Sequence, residues 1–123
     1  MIIADTSVWI EFLRGNAEIT EMFISYLKKG HIYTNSAIFG ELLQGARNKR
    51  ERTVLEGFWK NTPKANESQC FLEAGLLSNK FKLYARGVGL IDSYILASAI
   101  QSSLAIWTLD KKFRQAIDLV AAK

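Results

Sequence analysis

Short apolar runs alternate along this chain with longer stretches in which apolar residues recur every three or four positions, a pattern that predicts strands separated by helices. Met1-Ile2-Ile3-Ala4 reads as a buried strand that stops at Asp5. Thr6 and Ser7 offer cap chemistry for a short helix, Val8 to Arg14, ended by Gly15-Asn16. Ile19, Met22, Phe23, Tyr26 and Leu27 keep helical spacing across Ala17 to Lys29, and Gly30 ends that helix before a second strand, His31 to Thr34. Asn35-Ser36 caps a third helix, Ala37 to about Arg47. The charge run Asn48 to Arg52 reads as a helix junction, after which Thr53 to Lys60 carries Val54, Leu55, Phe58 and Trp59. The helical pattern breaks over Thr62 to Asn66, leaving a very short strand or an extended link.

Glu67 to Arg86 predicts one long amphipathic helix, broken by Gly87-Val88-Gly89. Leu90 to Ser102 is apolar on most faces after Asp92, so this helix should lie buried between others. Leu104 to Trp107 is a second strong strand, running into Thr108-Leu109-Asp110. Lys111 to Gln115 reads as a helical turn and Ala116 to Val120 as a last short strand. Strands separated by helices imply an α/β fold with a parallel sheet covered on both faces. Without a repeat or linker, residues 1–123 form one domain.

Composition narrows the chemistry. A single cysteine, Cys70, excludes an internal disulfide, and with His31 the only histidine, a zinc site or Cys–His dyad would need both single copies to converge. Catalysis must therefore rest on carboxylates, hydroxyls or a bound metal. The net charge of +4 lends mild support to a polyanionic partner, although taken alone such an excess more often serves solubility. No apolar run approaches the roughly 20 residues of a membrane span. The N-terminus lacks a basic region followed by a long apolar stretch, so a cytoplasmic protein without a membrane partner is expected.

Two acids stand at strand ends. Asp5 and Asp110 should open onto one edge of the sheet, where ligands of α/β proteins bind. Asp92 lies near a helix start, a place that the helix dipole alone explains. Glu41 points away from the apolar arc of its helix, Ile38, Phe39, Leu42, Leu43 and Ala46, and by periodicity faces solvent beside small neighbours. Glu11, Glu18, Glu21, Glu51, Glu56, Glu67 and Glu73 read as ordinary surface charges, and Asp118 has no account. Were the first four to converge, two carboxylates about 4 Å apart would repel by roughly 4 kcal/mol at an effective dielectric near 20, so the cluster must take up protons or a cation. An all-oxygen donor set suits Mg²⁺ or Mn²⁺.

These residues carry a family resemblance. Asp5-Thr6-Ser7-Val8-Trp9-Ile10-Glu11 with Leu13-Arg14-Gly15, then Glu41-Leu42 with Gly45, Asp92-Ser93-Tyr94-Ile95-Leu96-Ala97, and Thr108-Leu109-Asp110-Lys111-Lys112-Phe113 occur in order along almost the whole chain. The set resembles the PIN-domain ribonucleases, most closely the toxins of VapBC-type toxin–antitoxin pairs. The resemblance implies a three-layer α/β/α sandwich with a mainly parallel five-stranded sheet. It also implies an endoribonuclease dependent on Mg²⁺ or Mn²⁺, with RNA (transfer RNA by analogy) as substrate, a small VapB-type antitoxin as partner, and a homodimer. The family's acidic site maps onto Asp5, Glu41, Asp92 and Asp110, with Asp5, Asp92 and Asp110 as metal ligands and Ser7 and Thr108 as polar support. Arg14, Arg86, Lys111 and Lys112 adjoin these segments and are candidates for holding RNA. Many relatives place another acid two residues after the last one; here that residue is Lys112, which argues against a second firmly held metal.

Other readings compete. A non-catalytic interaction module of the same fold could present Trp9, Phe12, Phe39, Phe58 and Trp59 to a partner, although core packing is the commoner use of each. A haloacid-dehalogenase-like phosphotransferase also begins with a strand ending in Asp, but wants a second Asp where Ser7 stands. A receiver-type phosphorylation domain would leave Glu41 and Asp92 unexplained.

Overall fold

The computed structural model describes residues 1–123. Three parallel strands form the sheet: β1 (Ile2–Ala4) in the middle, β2 (Ile32–Tyr33) on one side and β3 (Ala105–Trp107) on the other. Register runs Ile2 opposite Ile32 and Ala105, and Ala4 opposite Trp107. Ile3 and Ala4 point to opposite faces yet both are fully buried, so both faces of the central strand are covered. The five strands expected reduce to three. Lys64 adds only a single parallel bridge beside Thr34, which is all that the extended link contributes.

Around the sheet stand α1 (Thr6–Leu13), α2 (Ala17–Lys28), α3 (Ser36–Gln44), α4 (Lys49–Asn61), α5 (Cys70–Phe81), α6 (Leu90–Gln101) and α7 (Lys111–Ala121). The segment expected as a turn and a fifth strand is α7. Phe113, Ala116, Ile117 and Val120 recur at helical spacing, Phe113 and Ala116 are buried, and Asp110 caps the helix by accepting from Lys112 N and Phe113 N. A four- or five-residue apolar run cannot separate strand from helix, and the cap at Asp110, six residues before Ala116, decided it. Asp118 lies on the exposed side of α7, 3.6 Å from Arg114 one turn back.

Two further boundaries moved. The charge run is the first turn of α4: Asn48 caps it through Glu51 N at 2.9 Å, and the Glu51 carboxylate returns to Arg47 N at 2.8 Å. The long helix of residues 67–86 is interrupted, because Gln69 and Lys82 take left-handed backbone (φ 55° and 56°) and Leu83–Arg86 tightens into a 3₁₀ turn.

The aromatics weighed for a docking surface mostly make the core. Trp9 is fully buried, with edge-to-face partners Phe23 at 4.9 Å, Phe39 at 5.0 Å and Phe58 at 5.5 Å. Phe12 and Trp59 pack partly buried against the same cluster.

Candidate functional site

Asp5 follows β1 directly and its backbone N–H still bonds Trp107 O of β3 at 3.0 Å. Its extended backbone and carboxylate make it, rather than Thr6 or Ser7, the cap of α1: Val8 N donates to Oδ1 at 3.2 Å. An aspartate at a strand–helix junction caps as well as a hydroxyl does, and this frees both hydroxyls for other work. Ser7 Oγ donates to Asp5 Oδ1 at 2.5 Å and accepts from Leu109 N at 3.0 Å, which ties the ends of β1 and β3 together. Thr6 Oγ1 donates to Glu41 Oε1 at 2.6 Å. Periodicity had aimed Glu41 at solvent; it is exposed, but its carboxylate leans back over the end of β1.

Thr108 Oγ1 accepts from Asp110 N at 3.0 Å and helps turn the chain into α7. Asp110 is exposed, whereas Asp5 is only 4% exposed. Asp92 is half-buried in the first turn of α6. Burial first, then the charges of Glu41, Asp110 and Asp5, push its carboxyl from the ordinary value near 3.8 up to about 6. The influence of all three acids on Asp92 brings the four sequence-selected carboxylates into one electrostatic neighbourhood, at the carboxyl ends of the strands. No three of them stand close enough to form a closed metal cage. The donor set is nonetheless all oxygen, and each repulsion on Asp92 is of the kind that a hard cation relieves.

Basic residues around the acids differ in what they are free to do. Arg14 pairs with Glu11 at 3.2 Å, and Arg47 with Glu51 at 2.9 Å. Arg86, Lys111 and Lys112 form no ion pair, and the Lys112 chain lies over Gly87, so close that a Cβ there would meet it at 3.0 Å. Beside Glu41 an open cleft of about 680 Å³ runs between α1, α3 and α4, lined by Ile10, Leu13, Leu42, Ala46, Val54 and Leu55 among others.

Two residues that the sequence did not place in the site matter to this geometry. Thr6 holds Glu41. Glu67, grouped there with the surface charges, receives hydrogen bonds from both α3 and α6. The one cue to Glu67 was its place in a polar run, Asn66 to Gln69, directly after a helix break.

The PIN domain family model matches residues 2–119. Ribonuclease VapC32, in two strains of Mycobacterium tuberculosis, is 28% identical over 120 residues, which cover 94% of this chain and 90% of that protein. The crystal structure of FitAcB from Neisseria gonorrhoeae superposes with a TM-score of 0.64 at 23% identity, over 96% of this chain and 94% of that one, and speaks to the fold.

Proposed function

The chain belongs to the PIN domain family, and from that membership we propose that it is a divalent-metal-dependent endoribonuclease acting as the toxin of a type II toxin–antitoxin pair. The observation that carries the reading is the gathering of acids at the strand ends: Ser7 joins Asp5 to the end of β3, Thr6 joins Glu41 to the start of α1, and Asp92 lies within the electrostatic reach of Glu41, Asp110 and Asp5. Similarity to a named ribonuclease over nearly the full chain supports it.

Asp5, Asp92 and Asp110 would hold the ion, directly or through water. When bound, Mg²⁺ or Mn²⁺ supplies charge neutralisation for a phosphodiester and makes water acidic enough to attack. Ser7 fixes Asp5 through Oδ1 and leaves Oδ2 for that work, while α7's own N–H groups do the same for Asp110. Glu41, braced by Thr6 on Oε1, has Oε2 to accept a hydrogen bond from the attacking water. Hydrolysis would leave a 3′-hydroxyl and a 5′-phosphate. Lys112 in place of a further acid favours one firmly held ion over two.

Arg86, Lys111 and Lys112, without acidic partners, are the best placed to hold the RNA backbone, and Arg14 is less so because it is paired. Transfer RNA is the substrate expected by family analogy. A VapB-type antitoxin would lay apolar side chains in the cleft beside Glu41 and cover the acids.

Total RNA incubated with the purified chain should be cut in Mg²⁺ or Mn²⁺ and left intact in EDTA. Asp5→Asn should abolish cutting while circular dichroism stays unchanged, since asparagine caps α1 as well as aspartate does. RNA left whole under both metals, or Asp5→Asn cutting at the parent rate, would overturn the reading.

A further inference from the structure

The turn at residues 66–68 is fastened to α6 along much of its length. Ser98 Oγ donates to Asn66 O at 2.7 Å, Asn66 N to Ser102 Oγ at 2.7 Å, and Gln101 Nε2 to Ser68 O at 2.9 Å. The preceding residues run beside Thr34: Thr34 N bonds Pro63 O at 2.9 Å and Ala65 N bonds Thr34 O at 2.8 Å. This segment therefore spans from the end of β2 to the side of α6.

Glu67 stands in the middle of that span. Its carboxylate accepts from Ser36 N, 3.1 Å from each oxygen, and from Ser36 Oγ, so it holds the first residue of α3. The same Oε1 accepts from Tyr94 Oη at 2.6 Å. Ser36 opens the helix that carries Glu41, five residues on. Tyr94 sits two residues after Asp92 on α6, roughly opposite it around the helix axis. One carboxylate thus joins the two helices that bring Glu41 and Asp92 to the sheet edge.

We infer that Glu67 is a positioning residue, which sets the separation of Glu41 and Asp92 by tying the start of α3 to α6. The inference rests on the nuclease reading above, in which those acids serve a metal-dependent site. The Glu67 carboxylate is taken up by Ser36 and Tyr94 and stands outside the four-acid set. Its effect passes through the helix axes: without it, α3 loses an anionic partner for its first N–H, and α6 loses its Tyr94 tie to the start of α3.

Glu67→Ala removes both ties and Tyr94→Phe only the one to α6. Mn²⁺ binding followed by calorimetry on the RNA-free protein should weaken about tenfold in Glu67→Ala, the range for residues that orient metal ligands, and less in Tyr94→Phe. kcat should fall with KM for RNA unchanged, and added Mn²⁺ should recover part of the rate. Phe23→Leu, a core change in α2, serves as a control that lowers the melting temperature without touching the tie. Mn²⁺ affinity in Glu67→Ala within about twofold of the parent, or an equal loss in Phe23→Leu at a matched drop in melting temperature, would overturn the inference. Such a result beside a parent that binds Mn²⁺ and cuts RNA leaves the nuclease reading standing. A parent that does neither removes both.

Discussion

Asp92→Asn should stabilise the metal-free protein while destroying its cleavage activity. The Asp92 carboxyl sits near 6 in the folded chain, against about 3.8 ordinarily, and burial and three neighbouring acids all push it the same way. A raised acid binds more protons folded than unfolded, so between about pH 4 and pH 6 stability falls as pH rises, and above pH 6 the full penalty is present. A shift of roughly two units has a ceiling of about 3 kcal/mol at 1.36 kcal/mol per unit. Asp92 is only half-buried, and solvent screening reduces this to about 1 kcal/mol. For a domain of this size that is about 4 °C in melting temperature. Thermal melts in EDTA should therefore show Asp92→Asn above the parent at pH 7.5 and level with it at pH 4. Adding Mn²⁺ should raise the parent and leave the variant behind. A variant that melts below the parent at pH 7.5 without metal, or gains as much at pH 4, would refute the electrostatic account of the site.

Phe113→Ala should cost about 3–5 kcal/mol in urea unfolding, because that ring is wholly buried, whereas Asp118→Ala should fall within about 0.5 kcal/mol of the parent, its ion pair being exposed; a large loss at Asp118 would contradict α7 as an amphipathic helix. Asp5→Ala removes the carboxylate that accepts from Val8 N and Ser7 Oγ, so it should lose about 1 kcal/mol that Asp5→Asn retains, with RNA cleavage abolished in both; equal stability of the two variants would deny Asp5 its capping role.

Strands β1 and β3 were legible because Ile2-Ile3-Ala4 and Leu104 to Trp107 are short apolar runs that stop at polar residues, although only β1 is buried on both faces. The helices α2, α3 and α6 were legible for the corresponding reason, with Asn35 and the Gly87-Val88-Gly89 break marking two of their starts. At the far end the same logic failed: Ala116 to Val120 is too short for its period to be told apart, and the cap at Asp110 made it a helix. The break at Lys82 left no trace in the pattern, because no glycine, asparagine or proline stands there to mark a left-handed residue.

By itself the sequence determined the chemistry available: carboxylates, hydroxyls and an excess of positive charge, with one histidine and one cysteine too few for anything softer. It also placed Asp5 and Asp110 at one sheet edge, since strand ends follow from local pattern. Family resemblance, not periodicity, nominated Glu41 and Asp92. Only the tertiary structure decided how they meet: Glu41 bends back to Thr6, Asp92 feels three other acids, and Glu67 turns from a surface charge into the link between their helices. The physical reason is range. Strand and helix are written in neighbours a few residues apart, whereas Thr6 meets Glu41 across 35 residues and Ser7 meets Leu109 across 102, contacts that exist only once the sheet has brought its edges together.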